Sequence, residues 1–112
     1  MEGTEVVENR EASRFEITLD GRPVGWLAYE RSDEALTFTG IDTDPELAGR
    51  GLGLVLVRGA LDAATEQEVS VHPADPFVRD YIERHPTYLD LVPAEDRARF
   101  DLPAACYAHF TH

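Results

Sequence analysis

Three glycines within five residues, Gly49-Arg50-Gly51-Leu52-Gly53, lie between a run of strand-forming residues and a helical apolar pattern. Few folds accommodate that order. The strand must end, the chain must turn through positions free of side chains, and a helix must start at once. A strand, a glycine turn and a helix N-terminus together present free backbone N–H groups at the positive end of the helix dipole, where a pyrophosphate fits. Arg50 adds a formal positive charge inside the turn. The same string also suits an ordinary connection into a helix. It lacks the Gly-Lys-Ser/Thr ending of a Walker loop and the GxGxxG spacing of a dinucleotide fold, so nucleotide hydrolysis and hydride transfer rank low.

The elements around the turn read in sequence. Arg14 to Leu19 alternates, with Phe15, Ile17 and Leu19 on one face, and ends at the hairpin signal Asp20-Gly21. Val24 to Glu30 is apolar on both faces, which predicts a central strand. Ala35 to Asp42 forms a third strand, in which Gly40 marks a bulge or a close backbone approach. Thr43-Asp44-Pro45-Glu46 starts a short helical turn. From Leu52 to about Gln67 the spacing is helical, with Leu52, Val55, Leu56, Gly59, Ala60 and Ala63 on one face. Glu68 to His72 is a short strand halted by Pro73. Asp75 and Pro76 open a second helix whose expected buried stripe is Phe77, Val78, Tyr81 and Ile82, and which ends before Pro86. Beyond Tyr88 the sequence predicts a short helix and a loosely attached tail. Trp26, Phe38 and Phe77 read as core or as cleft wall, with core favoured.

Length and charge bound the rest. At 112 residues the chain is the size of one domain, taken as 1–112 with a core over about 6–97 and a tail over about 98–112. A formal charge of −12 repels nucleic acid and anionic membrane and favours cationic partners. An anionic ligand would therefore need backbone amides. The single cysteine, Cys106, forms no internal disulfide and has no zinc-spaced neighbours, so a reducing, cytoplasmic setting without metal is expected and Cys106 is given no role. The acidic N-terminus is unlike a secretory signal, and no apolar run is long enough to span a bilayer.

Two blocks, Leu47 to Gly53 and His72-Pro73-Ala74-Asp75-Pro76-Phe77-Val78-Arg79-Asp80-Tyr81-Ile82-Glu83-Arg84-His85-Pro86-Thr87-Tyr88, occur in an order that resembles the GNAT superfamily of acetyl-CoA-dependent N-acetyltransferases, in particular its small YjdJ type. The resemblance covers about Phe15 to Val92. It implies a small α/β (α+β) fold: a mostly antiparallel sheet with two splayed parallel strands, 36–42 and 68–72, and flanking helices. The pantetheine arm of acetyl-CoA would lie between the splayed strands, held by backbone near Ile41. The pyrophosphate would rest on the amides of Gly49, Arg50, Gly51, Gly53 and Leu54.

The resemblance also implies direct acetyl transfer to an amine, with Tyr81 as the acid for the departing thiolate and His72 or Asp75 as candidates to take a proton. Read from their neighbours alone, Tyr81 also suits a buried helix stripe, Asp75 a helix cap, and His72 a strand end with a local hydrogen bond. His85 is as suited to fixing a helix end as to touching substrate. Asp42 and Glu46 could gather a cationic amine.

The chain departs from the pattern at Ala48, where the superfamily has Arg or Gln, at Phe38-Thr39-Gly40-Ile41, where the small type has His and Glu, and at Asp75, where it has Cys. These departures suit an alternative reading as a CoA-binding or protein-interaction module with little catalysis. The acceptor is unspecified, and either a monomer or a dimer is compatible with the sequence.

Overall fold

A computed structural model describes residues 3–33, 35–47, 51–100 and 102. Five strands lie in simple sequence order in one sheet: β1 (Thr4–Asn9), β2 (Arg14–Leu19), β3 (Arg22–Arg31), β4 (Ala35–Thr43) and β5 (Ser70–Pro73). The first four are antiparallel neighbours, and β4 pairs with β5 in parallel. The single parallel pairing spans the sequence that holds helix α1 (Leu52–Gln67), as a parallel crossover requires. Helix α2 (Pro76–Arg84) follows β5, and short 3-10 turns occupy Pro45–Leu47, Pro86–Leu91, Ala94–Asp96 and Ala98–Phe100. The expected mixed sheet with flanking helices is the fold observed.

Local chemistry accounts for most of these boundaries. Asp20 and Gly21 both take positive φ, 53° and 86°, as a two-residue turn of type I′ demands between β2 and β3. The Asp75 carboxylate accepts the amides of Phe77 and Val78 at 2.9 and 3.1 Å, and Pro76 opens α2 where no N–H is needed. β3 is the middle strand of the sheet. The core fills the face of the sheet under α1. Phe15, Tyr29 and Phe38 meet there with ring centroids 5.5 to 6.4 Å apart, against Leu56, Val57, Ala60 and Leu61.

Four expectations change. Strand β1 was not foreseen, because Thr4–Asn9 carries Val6 as its main apolar contribution to the core face. The buried face of α1 is Leu52, Leu56, Val57, Ala60, Leu61 and Ala64, so the predicted face is rotated. Val55, Gly59 and Ala63 sit at its margin; a Cβ on Gly59 would come within 2.8 to 3.0 Å of three Val6 side-chain atoms, so this glycine lets β1 reach the helix. Phe77, expected in the α2 stripe, is 41% exposed. The segment after Arg97 is not loose where it is described: Phe100 packs on the core and Leu102 is buried. Residues 103–112, the remainder of the predicted tail, lie outside the described set.

At the opposite end of α1 from its glycines, Glu8 ties β1 to the rest of the sheet. Its carboxylate accepts from the Tyr29 hydroxyl at 2.5 Å, Arg31 at 2.7 Å and Gln67 at 2.8 Å. Burial opposes its ionisation, but these donors outweigh burial and hold its pKa below the ordinary value.

Gly59 should therefore behave against helix propensity. Gly59→Ala would gain up to about 1 kcal/mol in an unobstructed helix, whereas overpacking against a β-branched residue costs about 1–3 kcal/mol. Net destabilisation in chemical denaturation is expected, and a Val6→Ala partner should relieve it. Additive effects in that double-mutant cycle would refute the contact.

Candidate functional site

The parallel pairing of β4 and β5 is only four residues long, from Ala35↔Ser70 to Phe38↔Pro73. The Asp75 amide then donates to the Phe38 carbonyl at 2.9 Å, and the chain turns into α2. Strand β4 continues past β5 to Thr43, paired there with β3. The register with β3 passes from Tyr29↔Phe38 to Ala28↔Gly40, so Thr39 is the extra residue of a bulge. Gly40 follows that bulge with nothing within 4 Å of an added Cβ, so it marks a bulge and no close approach.

The parity of the ladder shows where the backbone of β4 points. Asp44 N–H donates to Val24 C=O at 2.8 Å, which makes that pair a hydrogen-bonded one. Alternation then makes Trp26↔Asp42 and Ala28↔Gly40 bonded pairs and leaves Leu27↔Ile41 a non-bonded pair. The N–H and C=O of Ile41 therefore point away from β3, into the gap beyond the end of β5. A 210 Å³ cavity lies there, lined by Ile41, Asp42, Thr43, Gly53 and Phe77.

Helix α1 begins at this gap. Gly51 is its N-cap at φ 74°, a conformation that favours glycine, and it offers no side chain to the first-turn amides. An added Cβ at Gly51 would meet nothing within 4 Å, so open space fronts the turn. The first intrahelical bond is Val55 N–H to Gly51 C=O at 3.1 Å; the amides of Gly53 and Leu54 precede it and have no acceptor within the helix. Gly53 has a separate reason to be glycine, since a Cβ there would lie 3.1 Å from the Phe77 ring. Gly49 and Arg50, also expected in the cradle, lie outside the described residues.

A second cavity of 340 Å³ shares Phe77 with the first and is lined also by Leu54, Asp80, Tyr81, Arg84 and His85. Leu54 and Phe77, at 52% and 41% exposure, are two of the three large apolar side chains most open to solvent among the described residues. Both line this groove. Tyr81 is 8% exposed, stacks on His85 at 4.1 Å and 17°, and meets Tyr88 at 5.9 Å. Burial raises the Tyr81 pKa; Arg58 works against that rise and Asp62 adds to it, so the ring keeps its proton at neutral pH. Tyr88 donates to Asp62 at 2.7 Å, and burial together with that carboxylate pushes its pKa up to about 12. His85 fixes the helix end: its backbone amide donates to Tyr81 and Ile82, and its Nδ1 donates to the Tyr81 carbonyl at 2.9 Å.

The other two predicted proton carriers are placed differently. Asp75 Oδ2 caps α2, as described. His72 lines neither cavity; it stands on the sheet face turned away from α1, where Nε2 lies 3.0 Å from Asp96 Oδ2 and the ring packs on Phe100 at 5.7 Å. The Asp96 and Phe100 contacts come from the segment expected to be a short helix and loose tail, and nothing in its charge pattern linked it to β5.

Residues 14–91 match the family model described as GCN5-related N-acetyl-transferase. That is more than half of the chain, and the chain belongs to this family. Among solved structures it is similar to a GCN5-like protein from Staphylococcus aureus, at 18% identity with a TM-score of 0.62, covering 100% of this chain and 99% of that one. It is also similar to the ribosomal-protein-S18-alanine N-acetyltransferase of Escherichia coli, at 19% identity with a TM-score of 0.49, over 63% of this chain. The chain spans 41% of that protein's length. No curated protein matches in sequence. Among the described residues no helix is long and apolar enough to cross a membrane.

The tyrosine pair makes the groove testable without a ligand. Because a raised tyrosine pKa stabilises the fold below the ordinary value near 10 and that contribution fades as pH climbs through the folded value, Tyr88 should stay protonated at pH values that ionise free tyrosine. Asp62→Asn should lower its midpoint in a phenolate absorbance titration. An unchanged midpoint would show that burial alone sets it.

Proposed function

We propose that this chain is an N-acetyltransferase of the small YjdJ-like kind, which binds acetyl-CoA and transfers its acetyl group directly to an amine in a reducing, cytoplasmic compartment. One observation carries the reading: the backbone edge of β4 at Ile41, which has no described partner beyond Phe38, faces the same gap as the first turn of α1, whose N-cap Gly51 has no side chain to cap it. A strand edge seats an amide-bearing arm, and bare helix amides seat a diphosphate. Family membership and the fold support the same conclusion. The −12 chain then needs no cationic pocket to hold an anion, because uncharged amides provide the attraction.

In this reading Ile41 holds the pantetheine arm, the turn at Gly49, Arg50 and Gly51 with the Gly53 and Leu54 amides holds the pyrophosphate, and Leu54 and Phe77 cover apolar parts of the cofactor. The neutral amine attacks the thioester carbonyl carbon, the C–N bond forms, the C–S bond breaks, and the thiolate takes up a proton as the amine nitrogen loses one. Tyr81, protonated at neutral pH, is the donor to the thiolate. The proton of the amine passes to water, because His72 stands on the outer sheet face against Asp96 and lines neither cavity of the groove. Asp75 serves as the cap of α2 and thereby fixes the helix that carries Tyr81.

Acetyl-CoA at a hundredfold excess over its dissociation constant should stabilise the protein by about 2.7 kcal/mol, read as a rise in melting midpoint. No shift at concentrations on the order of millimolar would sink the proposal. Asparagine and aspartate both tolerate the left-handed conformation of Gly51, so Gly51→Asp and Gly51→Asn separate charge from strain. The aspartate variant should bind acetyl-CoA roughly tenfold more weakly than the asparagine variant, about 1.4 kcal/mol; equal affinities would remove the turn from the site. Tyr81→Phe should leave acetyl-CoA binding intact and lower thiol release to an amine acceptor by about two orders of magnitude. Binding without turnover across a panel of amines and peptides would favour the non-catalytic module.

A further inference from the structure

The sheet face turned away from α1 carries one row of side chains drawn from three strands. Glu16 of β2 stands opposite Trp26 of β3, and Trp26 stands opposite Asp42 of β4. The pleat places all three on that face. With Arg14, Asp44 and Pro45 they help line a 260 Å³ cavity. Its charges are unbalanced: Arg14 Nε lies 2.8 Å from Glu16 Oε2 and neutralises that carboxylate, while Asp44 Oδ1 accepts the Glu46 amide at 2.9 Å and takes part in none of the described ion pairs. Asp42 is exposed and takes part in none of the described side-chain hydrogen bonds or ion pairs. The indole is half-buried, so the cavity has an aromatic wall beside a carboxylate that no described ion pair engages, and its one described cation, Arg14, is turned to Glu16.

Two further facts connect this cavity to the groove on the other side of β4. Asp42 and Thr43 line both the 260 Å³ cavity and the 210 Å³ cavity at the β4 edge, so the two back onto each other across a single strand. The next row toward the bulge is Arg14, paired to Glu16, then Ala28 and Gly40, and Gly40 has open space where a side chain would stand. A low floor therefore runs from Trp26 to the Thr39 bulge. Along a strand, Gly40 and Asp42 are separated by about 7 Å, a distance that the chain of a short aliphatic diamine spans.

We infer that the cavity at Trp26 anchors a second positive charge of the acceptor, and that the acceptor is an aliphatic diamine or polyamine. One ammonium lies on the indole face within reach of Asp42, where cation–π and carboxylate attraction act together. The other amine reaches over Ala28 and Gly40 to the bulge. The acidic surface draws such a ligand in. The reacting end rests on the transferase reading; the cation site stands on its own geometry.

Trp26 is the chain's only tryptophan, so occupancy reports directly in its fluorescence without turnover. The experiment titrates the protein with a short diamine and with the monoamine of equal chain length, and measures acetyl-CoA binding separately by thermal shift. The diamine should shift the emission saturably at concentrations at least tenfold below those the monoamine needs. Asp42→Asn, checked for an unchanged melting midpoint without ligand, should weaken the diamine about tenfold. Equal responses to the two amines, or an Asp42→Asn variant that binds the diamine as tightly as the parent, would overturn the anchor and leave the transferase reading standing. A diamine-specific response in a protein that shows no acetyl-CoA shift would do the reverse, keeping the cation site and removing the transferase.

Discussion

The arrangement depends on where β4 and β5 stop pairing. The last parallel pair is Phe38↔Pro73, and the Asp75 amide takes the Phe38 carbonyl as the chain leaves for α2. Proline supplies no N–H to extend the ladder, and Asp75 converts the departure into a capped helix. Everything beyond Phe38 on that side of β4 is left as open edge. The Thr39 bulge then shifts the register by one residue, which is why Ile41, and not Gly40 or Asp42, presents its backbone to the gap.

An exposed strand edge and an uncapped helix start would ordinarily be liabilities. Here they face one another. Gly51 removes side-chain cover from the amides, Gly53 lets α1 lie against Phe77, and Phe77 joins the two cavities of the groove. The chain's acidity makes this division of labour coherent. In the proposed reading the anion would be held by fixed backbone dipoles beside the β4 edge and the cation by carboxylates and an indole on the outer face, with a single strand between them.

Helix starts and the hairpin were legible in the sequence because their chemistry is local. Asp20-Gly21 demanded positive φ at adjacent positions, Asp75-Pro76 combined a cap with a proline at N1, and the start of α1 at Leu52 followed from the glycines. Non-local features were not legible. Strand β1 was missed because Val6 finds its reason in Gly59, far along the chain, and the buried face of α1 was misjudged for the same reason. Phe77 sits at a position that helical spacing assigns to the core. It is exposed because, among the described residues, no element covers the gap beyond β5.

The sequence by itself determined the order of β2 through α2, the glycine start of α1 at Gly51, the cap at Asp75 and the family to which the chain belongs, all of which rest on contacts between residues close in the chain or on contiguous motifs. Only the tertiary structure decided that Ile41 faces the gap, that His72 is held by Asp96, and that Glu16, Trp26 and Asp42 form one row. Strand register is the physical reason: a one-residue change of pairing reverses the face of every side chain that follows, and a bulge such as that at Thr39 makes such a change where sequence alternation alone does not reveal it.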